Sequence, residues 1–180
     1  MWQLNPFVDF VNHRFLNAYH TILIGGFTEP FYLPATNHQP AQIQFTHDYF
    51  RSALHELAHW CEAGNKRRQL PDYGYWYAPD GRTPAQQQLF FNCEITPQAF
   101  EWALALVCEI DFEVSIDNLT RPTDSGILEF TDSVYQKLLH YIAVGFPQRL
   151  EKLLILLYQH SNSELPLYDY LQQQLISVKK

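Results

Sequence analysis

The sequence predicts an α+β fold: a mostly helical chain with a small β-sheet and a zincin-like metal-binding helix. Three observations lead there. Apolar residues recur at helical spacing along most of the chain, two short β-rich segments lie close together in its first third, and an H-E-x-x-H motif falls inside the best-defined helix. With 180 residues, 47% of them hydrophobic, there is enough apolar surface for one compact core, and residues 1–180 are expected to form a single domain.

Taken in chain order, Pro6 to Tyr19 carry Phe7, Val8, Phe10, Val11, Phe15 and Leu16 on an amphipathic pattern, which predicts a helix entering the core. FYLPA and QIQF read as two short strands, the first ended by Pro34. From Asp48 to about Ala63 the residues Phe50, Ala53, Leu54, Leu57, Ala58 and Cys61 keep helical spacing, and Gly64-Asn65 stops the run. The Thr96-Pro97 pair suits a helix start, with a capping hydroxyl and a proline in the first turn, so a helix is predicted through QAFEWALALVCEI. SVYQKLLHYIAVG and QRLEKLLILLYQH give two more amphipathic helices, and a short one follows Pro166. GGFTEP, ATNHQPAQ, NLTRPTDSG and HSNSELP read as loops.

Composition narrows the function classes. A net charge of -7 disfavours broad attraction to nucleic acid or anionic lipid. Cys61, Cys93 and Cys108 are odd in number and lack C-x-x-C spacing, which fits a reduced, cytoplasmic protein rather than a disulfide framework. The N-terminal stretch MWQLNPFVDFVNHRF has no signal-peptide pattern, and ALALVC and LLILLY are far too short to span a bilayer, so a soluble chain is expected. With 16% aromatic residues, many rings must be buried or must line a concave site.

His55-Glu56-Leu57-Ala58-His59 places two imidazoles one helical turn apart on one face, where both can reach a single metal ion. The apolar face of that helix is already supplied by Leu54, Leu57, Ala58 and Cys61, so the histidines and Glu56 lie on its other side. A third ligand is required, and spacing leaves Asp72, Asp80, Glu94 and Glu101 open, with Cys93 as an outsider. Two histidines and a carboxylate support two chemistries. Zinc would give a metallopeptidase with Glu56 as general base; iron(II) would give a facial triad that supports hydroxylation with dioxygen. On motif logic alone, Glu56 favours the hydrolase.

Downstream, Asp72, Tyr73, Tyr75, Trp76 and Tyr77 precede a Pro-Asp-Gly turn. These rings either pack into the core or form a cleft wall that holds a substrate side chain, with Asp72 and Asp80 supplying charge for an amine. Lys66, Arg67 and Arg68 form a basic run that reads as a solvated helix end or as a docking point for an acidic partner.

The block HELAHWCEAGNKRRQLPDYGYWYAPDGR, with FYLPA upstream and EITPQAFEW downstream, resembles the elongation factor P hydroxylase family over roughly residues 29–150, most strongly from His55 to Arg82. The resemblance implies an enzyme that hydroxylates the β-lysylated lysine of translation elongation factor P with a non-haem metal, iron(II), and dioxygen. It also implies His55, His59 and Glu94 as metal ligands, which selects Glu94 over Glu101. Glu56 is then a proton-handling residue behind the ligands rather than a peptidase base.

Overall fold

The structure, a computed structural model, describes residues 2–74, 82–116 and 124–178; Tyr75, Trp76, Tyr77 and Asp80, named above as a cleft wall and a charge, lie outside these. Among the described residues the order is α1 (Leu4–Arg14), β1 (Thr21–Phe27), β2 (Phe31–Leu33), β3 (Ala41–Thr46), α2 (Phe50–Glu62), α3 (Pro84–Cys108), α4 (Asp124–Val144), α5 (Gln148–Tyr158) and α6 (Leu167–Val178). Short 3-10 turns occupy Leu16–Tyr19, Arg67–Gln69 and Pro71–Gly74. The architecture is α+β and mostly helical, and no described helix is long and apolar enough to cross a membrane.

The sheet has the order β1-β3-β2, with β3 parallel to β1 (Leu23 opposite Ile43) and antiparallel to β2 (Tyr32 opposite Ile43). β3 buries Ala41, Ile43 and Phe45 beneath α2, while α1 packs on β1. The sequence pattern does not predict strand β1: GGFTEP reads as a turn-rich loop, yet its two glycines and Phe27 close the strand. The packing supplies the reason for the glycines. A Cβ at Gly25 would lie 2.5 Å from the Phe45 ring and 2.8 Å from the His47 carbonyl oxygen, so only glycine lets β1 pass this close. Gly26, at φ +96°, then carries the register shift between Ile24 and Phe27.

Helix α3 is also longer than its sequence pattern indicates. It begins at Thr83-Pro84, where the Thr83 side chain accepts from the Gln86 backbone N–H and the Gln86 side chain accepts from that of Thr83, a reciprocal capping box. Thr96-Pro97, taken as the helix start, lies inside it. Both Thr-Pro pairs carry the same start signal, and burial selects the upstream one. From Pro97 to Cys108 every residue is buried, because α2, α4, α5 and α6 all pack on this stretch. That packing outweighs the cost of about 3 kcal/mol that an interior proline carries by withholding an N–H from the Cys93 carbonyl.

Candidate metal centre

The site forms where α2 crosses α3. On α2, His55 and His59 lie one turn apart; on α3, Glu94, Gln98 and Glu101 follow at intervals of four and three and share one stripe. The two stripes face each other. His55 Nε2 lies 3.1 Å from His59 Nε2. The carboxylate of Glu94 closes the triangle, with Oε1 3.3 Å from His59 Nε2 and Oε2 3.6 Å from His55 Nε2.

Two imidazole nitrogens turned toward each other beside a carboxylate require something between them, either a shared proton or a shared cation. At 3.1 Å the spacing suits an N–H···N proton in the metal-free protein and a shared cation when one is bound. Ligand atoms about 2.1 Å from a common centre lie about 3.0 Å apart at right angles and about 3.4 Å apart at tetrahedral angles. Among the described residues His55, His59 and Glu94 form a group whose donor atoms all fall within 4.8 Å of one another and can hold one metal ion. Two imidazoles and one carboxylate suit zinc and iron(II) alike.

Electrostatics follow from burial. For His55, desolvation alone would favour the neutral ring, but the hydrogen bond to Glu101 and the charges of Glu101, Glu94 and Glu56 outweigh it and raise its pKa to about 10. His59 is raised against desolvation too, chiefly by Glu94. Burial would raise Glu94, yet His59, His55 and the Gln98 amide draw it down to about 2. These opposite displacements describe a preformed arrangement of cationic and anionic groups that a metal would replace with a single charge.

Glu101, which the spacing left open as a ligand, meets His55 on its other nitrogen: Glu101 Oε2 lies 2.8 Å from His55 Nδ1. Gln98 was absent from the sequence reading. It is fully buried; its Nε2 donates to Glu94 Oε2 at 3.3 Å and to the Ser115 carbonyl at 2.8 Å, while its Oε1 accepts from Ser115 N at 2.9 Å. The one signal for it was its position four residues after Glu94. Cys93 is exposed and outside the cluster, and burial pushes the Cys61 thiol up to about 12, which leaves it an unreactive core residue.

The cluster opens onto a cavity of about 980 Å³. Among the described residues six carboxylates line it, from Glu29, Asp48, Glu56, Asp72, Glu94 and Glu101, against one guanidinium, that of Arg51, which is itself paired with Glu113 at 3.2 Å. Glu56 is half-buried there, and desolvation raises its pKa. Asp72 and Tyr73 also line the cavity, and both have left-handed backbone, at φ 46° and 57°, which non-glycine residues seldom adopt. Local bonds hold them: Asp72 Oδ1 accepts from Tyr32 N at 2.9 Å, and Arg67 Nε donates to the Tyr73 carbonyl at 3.0 Å. The result is a Tyr73 ring stacked 4.2 Å from Tyr32 and parallel to the His59 ring at 6.5 Å. Its buried hydroxyl has no hydrogen-bond partner among the described residues.

The basic run is placed elsewhere. None of Lys66, Arg67 and Arg68 lines the cavity. Arg67 is engaged by Tyr73, Arg68 lies over the Trp60 ring at 5.3 Å, and Lys66 is exposed.

Comparison with known proteins gives the family. The family described as elongation factor P hydroxylase matches residues 10–170. A relative from Haemophilus influenzae, an elongation factor P lysine hydroxylase, is 41% identical over 153 residues, which cover 84% of this chain and 85% of the relative. The chain therefore belongs to the elongation factor P hydroxylase family.

Proposed function

We propose that residues 1–180 act as one metal-dependent hydroxylase domain that modifies the β-lysylated lysine of elongation factor P. Family membership supports the reaction and the partner. The observation that carries the metal dependence is the convergence of His55 Nε2, His59 Nε2 and a Glu94 oxygen beside an acidic cavity. These three residues would hold iron(II), which together with dioxygen and two electrons from a reductant supplies the oxidation of a C–H bond to C–OH, the second oxygen atom leaving as water.

The chain's own groups account for binding and proton handling. A β-lysylated lysine side chain is long and carries two ammonium groups, and a cavity lined by six carboxylates lowers the cost of desolvating them. Glu29 and Asp48 are exposed and meet the side chain first; Asp72 and Glu56 lie nearer the histidines. Tyr73 offers its ring as a wall of the cavity. Glu56, whose burial favours the protonated carboxyl, can give a proton to or take one from the reacting centre without being a ligand. Lys66, which is exposed outside the cavity, is the member of the basic run available to a protein partner.

The test is mass spectrometry of β-lysylated elongation factor P after aerobic incubation with the protein, iron(II) and a reductant. The modified-lysine peptide is expected to gain the mass of one oxygen atom with the wild type and not with His59→Ala. No gain from the iron-loaded wild type would overturn the reading and return the site to zinc-dependent hydrolysis, with Glu56→Gln as the decisive variant.

A further inference from the structure

We propose that Glu101 is a positioning residue of the metal centre: by accepting the Nδ1 proton of His55 it fixes the ring in the tautomer that presents Nε2 to the metal. The proposal rests on the reading of His55, His59 and Glu94 as ligands.

A neutral imidazole carries one proton on either nitrogen, and only the unprotonated one can bind a metal. For His55 the choice is made by its surroundings. Nε2 faces His59 and Glu94, at 3.1 and 3.6 Å, whereas Nδ1 faces Glu101 Oε2 at 2.8 Å. A carboxylate on Nδ1 accepts and cannot donate unless protonated, so it keeps the proton there and leaves the Nε2 lone pair for the metal. It also fixes the ring rotation and makes the imidazole a stronger donor.

Glu101 does this from a rigid place. It is 4% exposed, on the continuously buried part of α3, two turns beyond Glu94. One helix thus supplies both a ligand and the support of another ligand. Glu101 itself stands outside the triangle because the His55 ring separates it from the shared centre, and it is not among the residues whose donor atoms converge.

Cobalt(II) titration of the metal-free protein, followed by the visible bands of the bound ion, tests this without hydroxylation as the readout. Glu101→Ala is expected to weaken cobalt binding by about 10–100-fold. Glu101→Gln keeps an oxygen that accepts the same proton and is expected to recover most of that affinity. In the zinc-loaded wild type and in Glu101→Gln, long-range proton–nitrogen NMR correlations should show the His55 proton on Nδ1. Unchanged cobalt affinity in Glu101→Ala would overturn the proposal. So would a Glu101→Gln protein as weak as Glu101→Ala with altered visible bands, since that result makes Glu101 a ligand. If Glu101→Ala does not fold, the Gln variant and the His55 tautomer decide alone, and a proton on Nε2 overturns the assignment. Cobalt binding that obeys these expectations in a protein unable to hydroxylate elongation factor P would leave the positioning role standing and remove the proposed function.

Discussion

At the scale of single residues, the metal-free centre holds opposite charges in a buried place, and this sets its response to pH. The pKa of His55 is raised from 6.5 to about 10, so its contribution to stability is full below pH 6.5 and is lost as pH rises toward 10. The pKa of Glu94 is lowered from 4.5 to about 2, so its contribution is full above pH 4.5 and is lost as pH falls toward 2. The Tm of the chelator-treated protein is therefore expected to be highest between pH 4.5 and 6.5 and to fall on both sides, as scanning calorimetry would record. Metal uptake must expel the His55 proton, so apparent cobalt affinity should rise about tenfold per pH unit for each proton released, up to pH 10. Affinity that did not vary with pH would exclude His55 as a ligand. Gln98 gives a separate expectation. Gln98→Leu keeps the volume but leaves the Ser115 backbone groups without their partner, which costs about 1–3 kcal/mol by urea denaturation, and it frees Glu94 from its amide anchor. His55, His59 and Glu94 were legible in the sequence as a candidate ligand set because a motif and a family block name them, and the fold brings their donor atoms together. Gln98 was not, since a glutamine acquires its role from Ser115, 17 residues away, through folding.

At the scale of elements, helix α2 could be read from its period, its glycine stop and its polar stripe, because all three agree. Strand β1 could not. Its glycines answer to Phe45 and the His47 carbonyl, partners that the local sequence does not reveal. Gly25→Ala should therefore cost about 1–3 kcal/mol through overpacking, read as a lower urea midpoint at unchanged slope, and Phe45→Leu in the same chain should restore only part, because the carbonyl contact remains. The start of α3 was misread for a different reason. Two Thr-Pro pairs compete for it, and the one that caps is decided by which turn has Gln at the third position and which is buried by four other helices. This error bears on the site: starting the helix at Thr96 leaves Glu94 outside it, whereas the true helix carries Glu94, Gln98 and Glu101 on one rigid stripe.

At the scale of the whole molecule, the α2–α3 crossing is fixed from outside the site. Arg149 on α5 lies over the Trp60 ring at 5.0 Å, with Arg68 over the same ring at 5.3 Å. Arg149 also donates to the Trp60 carbonyl at 2.7 Å and to that of Ala63, satisfying the end of the motif helix. His55, His59 and Glu94 are thus braced by residues outside their cluster, which leaves the mouth of the cavity free to serve binding. There Glu29 and Asp48 are exposed, in a chain whose net charge is -7. Exposed charges contribute about 0.2–1 kcal/mol each and are screened by salt. Glu29→Gln combined with Asp48→Asn should accordingly lower kcat/KM for β-lysylated elongation factor P by up to about tenfold at low ionic strength, mostly through KM, with the gap closing as salt is added. Cobalt affinity should change little, because neither residue belongs to the cluster of His55, His59 and Glu94. A loss in kcat that persists at high salt would mean instead that these carboxylates act at the reacting centre.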